Sequence, residues 1–215
     1  MDAPLERTAS SVGAPRDERF SVLVVCTGNI CRSPLLEQLL RARFGDSVAR
    51  FSSAGTAALV GEGMPEQAAQ LSLDLGGDPT GHEPRLLDAA LIEGADLVIA
   101  LAREHRAEIV RHVPRASRFT VTLREAARLL ESLQGAPELD LAPLHSAPLP
   151  DALRTLVGLA MGERGIAPPP TNVDDDDVVD PYRQAQPVYD RSGAQVVDAL
   201  DRIERSLRAL AARPV

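Results

Sequence analysis

The sequence predicts an α/β protein with a four-stranded parallel sheet between two layers of helices, three layers in all. Three observations carry that reading. Short apolar, β-branched runs alternate along the chain with stretches of helical periodicity, the pattern of strand–helix–strand units. The first run, FSVLVVC at 20–26, is apolar almost throughout, as expected of a strand covered on both faces. The turn-forming segment TGNICRSP then joins this strand directly to a helical pattern, so the first unit is a strand, a tight loop and a helix.

Ser33 reads as an N-cap with Pro34 at the first helical position. Leu35, Leu36, Leu39 and Leu40 repeat at helical spacing, which extends a helix over 34–44. Further strands are expected at 49–53, 96–101 (DLVIAL) and 118–122. Helices are expected between them, at 65–75, 84–93, 103–112 and 123–133. A final helix over 193–212 carries Val196, Val197, Leu200, Ile203, Leu207 and Leu210 on one stripe, suited to packing on the sheet.

The 215 residues suit one domain, and 44% hydrophobic residues suffice for a core. The 23 basic and 31 acidic residues leave a net charge of −8, which argues against an extended nucleic-acid surface. Every basic residue is arginine. Without a lysine amine there is no Schiff base, no pyridoxal-phosphate anchor and no Walker-type nucleotide loop. Two cysteines, five residues apart, exclude a disulfide scaffold and any all-cysteine metal site. No cofactor and no metal are expected.

No apolar run is long enough to span a membrane. The segment 1–19 lacks the apolar core of a secretory signal and reads as a disordered leader. A cytoplasmic setting, where thiols stay reduced, follows as an expectation. The domain proper is expected over 20–213, with a Pro-rich, partly helical insertion at about 134–177. Its prolines bracket a helical pattern at 151–161, with too little apolar material for a separate core. The sequence leaves the oligomeric state open.

The loop after the first strand runs Cys26-Thr-Gly-Asn-Ile-Cys-Arg32-Ser33, a cysteine, five residues, an arginine and a serine. A helix N-terminus offers unpaired amides and the positive end of its dipole. Successive N–H groups in a Gly/Asn loop curl into a nest for tetrahedral oxygens, so this reads as a phosphate-binding loop. Gly28 and Asn29 suit left-handed torsions. Arg32 adds a planar fork for two oxygens. Cys26, at the floor of the loop, faces all these positive groups, which favour its thiolate. A thiolate beneath a bound phosphate is a nucleophile aimed at phosphorus. Ser33 is placed to donate its hydroxyl toward that sulfur.

This segment resembles the low-molecular-weight protein tyrosine phosphatases. VCTGNICRSP opens the resemblance, SAGT at 53–56 continues it, and Asp180-Pro-Tyr182 completes it ahead of the last helix. The resemblance implies a phosphomonoester hydrolase acting on protein phosphotyrosine through a phosphocysteine intermediate. By it, Cys26 attacks phosphorus, Arg32 holds the equatorial oxygens, and Asp180 protonates the leaving oxygen and then activates water. Thr27, Gly28, Asn29, Ile30, Cys31 and Tyr182 are the implied substrate-binding residues, Tyr182 as an aromatic wall. Asn29, Ser33, Ser53 and His82 match the hydrogen-bond network that fixes the loop. The implied partner is a phosphotyrosine protein or a small phosphomonoester, with no nucleic acid and no membrane.

Several residues admit plainer readings. His105, His112 and His145 show no metal spacing and read as surface residues. Cys31 either packs behind the loop or traps oxidised Cys26 as a disulfide. The run Asp174–Asp177 is a solvated acidic loop, or a cluster whose like charge keeps Asp180 protonated. Around Leu59 the sequence lacks the aromatic residue that many relatives place opposite the tyrosine wall, and Arg183 follows Tyr182 where a second aromatic residue is common. Three alternatives stand beside phosphotyrosine hydrolysis. An arsenate reductase would need further cysteines. A phosphoarginine phosphatase would carry threonine in place of Ile30. An idle anion-binding scaffold would not need the nucleophile, arginine and acid together.

Overall fold

A computed structural model describes residues 19–136 and 141–213. The expected leader therefore lies outside the described residues, Arg19 excepted, as does the part of the expected insertion at 137–140. The elements are β1 (Phe20–Cys26), α1 (Arg32–Phe44), β2 (Ala49–Gly55), α2 (Glu66–Asp74), α3 (Ala89–Glu93), β3 (Leu97–Ala100), α4 (Arg103–His112), β4 (Thr120–Thr122), α5 (Leu123–Gly135), α6 (Ala142–Ser146), α7 (Leu149–Gly162) and α8 (Gln186–Ala211).

The sheet runs β2-β1-β3-β4, with every pairing parallel. All seven residues of β1 are buried, which explains its unbroken apolar sequence. Val22, Val24 and Cys26 face one layer, packing with Leu36 and Leu39 of α1, Leu130 of α5 and Leu200 of α8. Leu23 and Val25 face the other, packing with Ile92 of α3 and Ile109 of α4. The three-layer architecture is as the alternation requires. From β1 the chain crosses to β2 on one side and later to β3 on the other, so a crevice opens at the carboxyl end of β1.

Three local expectations are corrected. Helix α1 begins at Arg32, with Cys31 in the N-cap position and no side-chain cap, so Ser33 lies inside the first turn. The tight loop supplies the helix start itself, and the Ser33 hydroxyl turns back to the sulfur of Cys26. The helix expected at 84–93 is only Ala89–Glu93, capped by Asp88. Residues ahead of it are drawn out along β2, where Gly55 donates to the Arg85 carbonyl and Leu87 donates to the Gly55 carbonyl. Helix α8 starts earlier than expected, at Gln186, with a proline in its first turn.

Helix α7 packs against the main body: Leu153, Leu156 and Val157 lie on the core cluster and Ala160 is within it. Arg154 pairs with Asp96 at 2.9 Å, at the amino-terminal side of β3, and Arg164 just beyond α7 pairs with Glu125 at 2.8 Å. Tertiary burial thus anchors this helix. Among the described residues no helix is long and apolar enough to cross a membrane.

Candidate active site

The loop between β1 and α1 lies at the crevice. Its torsions depend on Asn29, which takes φ 55°, while Gly28 is not among the positive-φ glycines. Asn29 is also the hub of the loop, with no exposed surface. Its Oδ1 accepts the Arg85 N–H at 2.9 Å, which directs its Nδ2 to the Ser33 hydroxyl at 3.0 Å and the Ser53 hydroxyl at 2.8 Å. His82 donates from Nε2 to the Asn29 carbonyl at 2.6 Å. Ser53 donates onward to Glu37 Oε2 at 2.6 Å.

Ser33 Oγ accepts from Asn29 and lies 3.0 Å from the Cys26 sulfur, so its own proton can be given to a thiolate there. A hydroxyl aimed at this sulfur stabilises a thiolate and, later, a departing sulfur. Ser33, Ser53 and His82 are thus each hydrogen-bonded to Asn29. Glu37 and Arg85 extend that network and were not foreseen. Glu37 leaves a weak signal, one helical turn after Ser33; Arg85 leaves none.

The glycine of SAGT has a steric cause. A Cβ at Gly55 would collide with the Thr27 carbonyl oxygen and stand 3.0 Å from the Asn29 nitrogen. The adjoining segment is stitched to the loop, Thr56 donating to the Cys26 carbonyl and Ala57 to the Thr27 carbonyl, each at 2.9 Å. β2 and its extension thus form the back wall of the loop.

Arg32 is buried, with 4% of its side chain exposed, and its guanidinium faces two groups from the segment before α8. It donates to the Val178 carbonyl at 3.1 Å and pairs with Asp180 Oδ2 at 2.8 Å. Asp180 is half exposed and also accepts the Tyr182 N–H at 3.1 Å, an Asx turn that orients the carboxyl. A cleft of about 130 Å³ is lined by Cys26, Thr27, Gly28, Ile30, Cys31, Arg32, Leu59, Asp180 and Tyr182, with Ala57. Residues far apart in sequence, Cys26 and Arg32 against Asp180 and Tyr182, thus meet in one place. Asn29, expected both at the substrate and behind the loop, is found behind it. Cys31 turns its thiol away from solvent into a cluster with Ile30, Ala68 and Tyr189. Burial, then the neighbouring Cys26 and Asp180, push that thiol up to about 12, despite a hydrogen bond with Tyr189 and the charge of Arg32.

One expectation and one alternative fail here. His105 is buried, 2% exposed, with Nε2 2.9 Å from Thr27 Oγ1, because α4 starts against the loop. His112 and His145 do lie at the surface. The acidic run is not a free cluster of like charge. Asp174 and Asp177 pair with Arg103, at 2.7 Å and 3.3 Å, and Asp176 pairs with Arg128 at 2.9 Å. Arginines neutralise the repulsion on which the Asp180 argument depended, and the run instead tethers the segment carrying Asp180. Arg183, with φ 58°, lays its guanidinium 5.0 Å over the Tyr182 ring.

A parallel sheet whose first strand ends in a cysteine-to-arginine anion loop, faced by an aspartate, defines a class of α/β proteins built around a phosphate-sized site. Within that class, the chain belongs to the low molecular weight phosphotyrosine protein phosphatase family, whose model matches residues 21–129. Among its relatives, the low molecular weight protein-tyrosine-phosphatase Etp of Escherichia coli K12 is 40% identical over 94 residues. That match covers 44% of this chain, and the chain spans 62% of the length of Etp. The tyrosine phosphatase Wzb of Escherichia coli K30, solved with sulphate, superimposes with a TM-score of 0.59 at 25% identity, covering 87% of this chain and 97% of Wzb. The YwlE arginine phosphatase of Geobacillus stearothermophilus shares the fold, with a TM-score of 0.59 at 22% identity over 91% of this chain and 99% of that one.

Proposed function

We propose that this protein hydrolyses phosphomonoesters, with protein phosphotyrosine as the substrate class, through a phosphocysteine intermediate. The observation that carries the reading is the convergence of Cys26, Arg32 and Asp180 on one cleft, with the Ser33 hydroxyl on the sulfur. In the first step the Cys26 thiolate attacks phosphorus in line with the leaving oxygen. The S–P bond forms, the P–O bond breaks, and Asp180 delivers a proton to the departing phenolic oxygen. Arg32 and the loop amides hold the equatorial oxygens as charge spreads over them. In the second step water attacks phosphorus, Asp180 takes its proton, and the Cys26 thiolate leaves with the Ser33 hydroxyl still donating to it. Inorganic phosphate is released. No metal or cofactor enters either step.

Tyr182 and Leu59 line the cleft, and such apolar walls suit an aromatic ester better than the short, polar side chain of phosphoserine. Ile30, 3% exposed and packed with Leu59 and Tyr182 around the cleft, crowds a guanidinium leaving group and favours tyrosine over phosphoarginine. An arsenate reductase would need a resolving thiol beyond the loop, and the sequence has only Cys26 and Cys31. We place the enzyme in the cytoplasm, where its thiols stay reduced. The leader at 1–19 and the insertion at 134–177 are read as additions to a single catalytic domain over 20–213.

The deciding experiment compares kcat/KM on phosphotyrosine, phosphoserine and phosphoarginine peptides and on arsenate, with Cys26→Ser alongside. Phosphotyrosine turnover that vanishes in Cys26→Ser is the expected result. Phosphate binding without turnover in the intact protein would make the chain an anion-binding scaffold instead.

A further inference from the structure

Helix α4 opens beside the loop, and neither step of the proposed reaction uses its His105. The imidazole is buried, its Nε2 bonded to Thr27 Oγ1, while its Nδ1 is buried with no hydrogen-bond partner. Two tautomers are conceivable. If Nδ1 carried the proton, a buried N–H would be left without an acceptor. If Nε2 carries it, only a lone pair goes unsatisfied, which costs less. Nε2–H therefore donates and Thr27 Oγ1 accepts. The Thr27 hydroxyl proton is then free to point elsewhere, and Thr27 lines the cleft next to Cys26.

We propose that His105 is a positioning residue of the phosphate loop, a neutral imidazole that holds Thr27 and turns its hydroxyl proton toward the bound oxyanion. This rests on the reading of the loop as a phosphate-transfer site.

The surroundings keep the ring neutral. Burial, then the charge of Arg32 from α1, pull the His105 pKa down to about 4, while Asp177 from the segment before α8 opposes them. Glu104, on the same helix, is 3.5 Å from Nε2 with a largely exposed side chain. An imidazolium would carry a second proton at Nδ1, which has no acceptor.

The same turn of α4 also holds the other half of the site. Ala102, at its N-cap, supplies no side-chain cap. Asp177 Oδ1 takes that place from across the molecule, accepting the Arg103 N–H at 2.7 Å. The next residue, Val178, donates to the Leu101 carbonyl at 2.8 Å and accepts from Arg32 at 3.1 Å. One turn thus grips the loop through Thr27 and the approach to Asp180 through Asp177. His105 is the part of that grip directed at the oxyanion.

The test is a double-mutant cycle read by kcat and KM on p-nitrophenyl phosphate and, independently, by calorimetric binding of inorganic phosphate. His105→Phe fills the volume without a donor and is expected to weaken phosphate binding and kcat/KM about tenfold, the scale of one hydrogen bond. His105→Gln, which restores an N–H near Nε2, should stay within about threefold of the parent. Thr27→Val should reproduce the His105→Phe loss, and adding His105→Phe to it should cost little more. A full His105→Phe loss on the Thr27→Val background, or no rescue by Gln, overturns the proposal. Should His105→Phe not fold, Thr27→Ser against Thr27→Val decides: equal phosphate affinities overturn it. Phosphate binding reads the loop without turnover, so a protein that binds but does not hydrolyse refutes the proposed function and still tests this one.

Discussion

Arg32 and Asp180 form an ion pair of 2.8 Å across the cleft, the guanidinium buried and the carboxylate half exposed. An oxyanion above Cys26 seeks the same guanidinium, so Asp180 competes with phosphate for Arg32 until the phosphate oxygens displace it. In the proposed reaction this competition would hold Asp180 at the cleft and free its carboxyl as the substrate phosphate takes Arg32.

Asp180→Asn separates these two effects. Loss of the proton donor should lower kcat on an aryl phosphate by about 10²-fold or more. Removal of the competing charge should tighten inhibition by inorganic phosphate several-fold. Steady-state inhibition measures both, and weaker phosphate binding in Asp180→Asn would contradict the competition.

Gly55→Ala should damage the loop at a distance from the chemistry. The added methyl meets the Thr27 carbonyl oxygen and the Asn29 nitrogen, backbone atoms that cannot rotate away. Displacing a preorganised oxyanion site by a fraction of an ångström costs about tenfold or more in kcat/KM. The melting temperature should also fall. Alanine tolerated on both measures would mean that the back wall does not set the loop.

The two cysteines should differ sharply toward alkylation. The Cys31 thiol, buried and pushed up to about 12, is almost wholly protonated near neutral pH. Iodoacetamide at pH 7.5 should give one adduct, at Cys26, by peptide mass spectrometry. For the same reason any capture of oxidised Cys26 by Cys31 should accelerate as pH rises. Recovery from peroxide that is unchanged in Cys31→Ser would rule out that capture.

His105 makes folding sensitive to mild acid. Its pKa is about 4 in the folded chain, below the ordinary 6.5, so the unfolded chain binds the proton more tightly. The stability linked to the neutral imidazole is complete above pH 6.5 and is lost progressively as pH falls toward 4, by about 3 kcal/mol at most. His105→Gln lacks this titration. The stability gap between parent and His105→Gln, measured by urea unfolding, should shift in favour of the variant between pH 6.5 and 4. A gap independent of pH would contradict it.

Much of the fold was readable because its signals are local. β1 is apolar at nearly every position and buried on both faces, so composition alone marks its limits. Helix α4 runs over Arg103–His112, where its periodicity puts it. The segment at 84–88 reads as helix but is extended, because its backbone pairs with Gly55 and Asn29, partners about 30 to 60 residues earlier. Ser33 reads as a cap for the same reason in reverse: capping is inferred from neighbours in sequence, whereas its hydroxyl is claimed by a sulfur on the strand.

The candidate site divides along the same line. Cys26, Arg32 and Ser33 lie close together in the chain, and that spacing alone brings them to one strand–helix junction. Asp180 and Tyr182 were recognisable as a motif, but only folding carries them to that loop. His105 shows the limit most plainly. Nothing beside it in the chain distinguishes it from His112, seven residues on, which lies at the surface. Packing of α4 against the loop buries one imidazole on Thr27 and leaves the other in water. The sequence by itself determined the α/β alternation and the make-up of the loop, since both rest on residues within a few positions of each other. Tertiary structure alone decided the Arg32–Asp180 pair, the steric need for Gly55 and the burial of His105, because burial and close approach depend on which distant segments pack together.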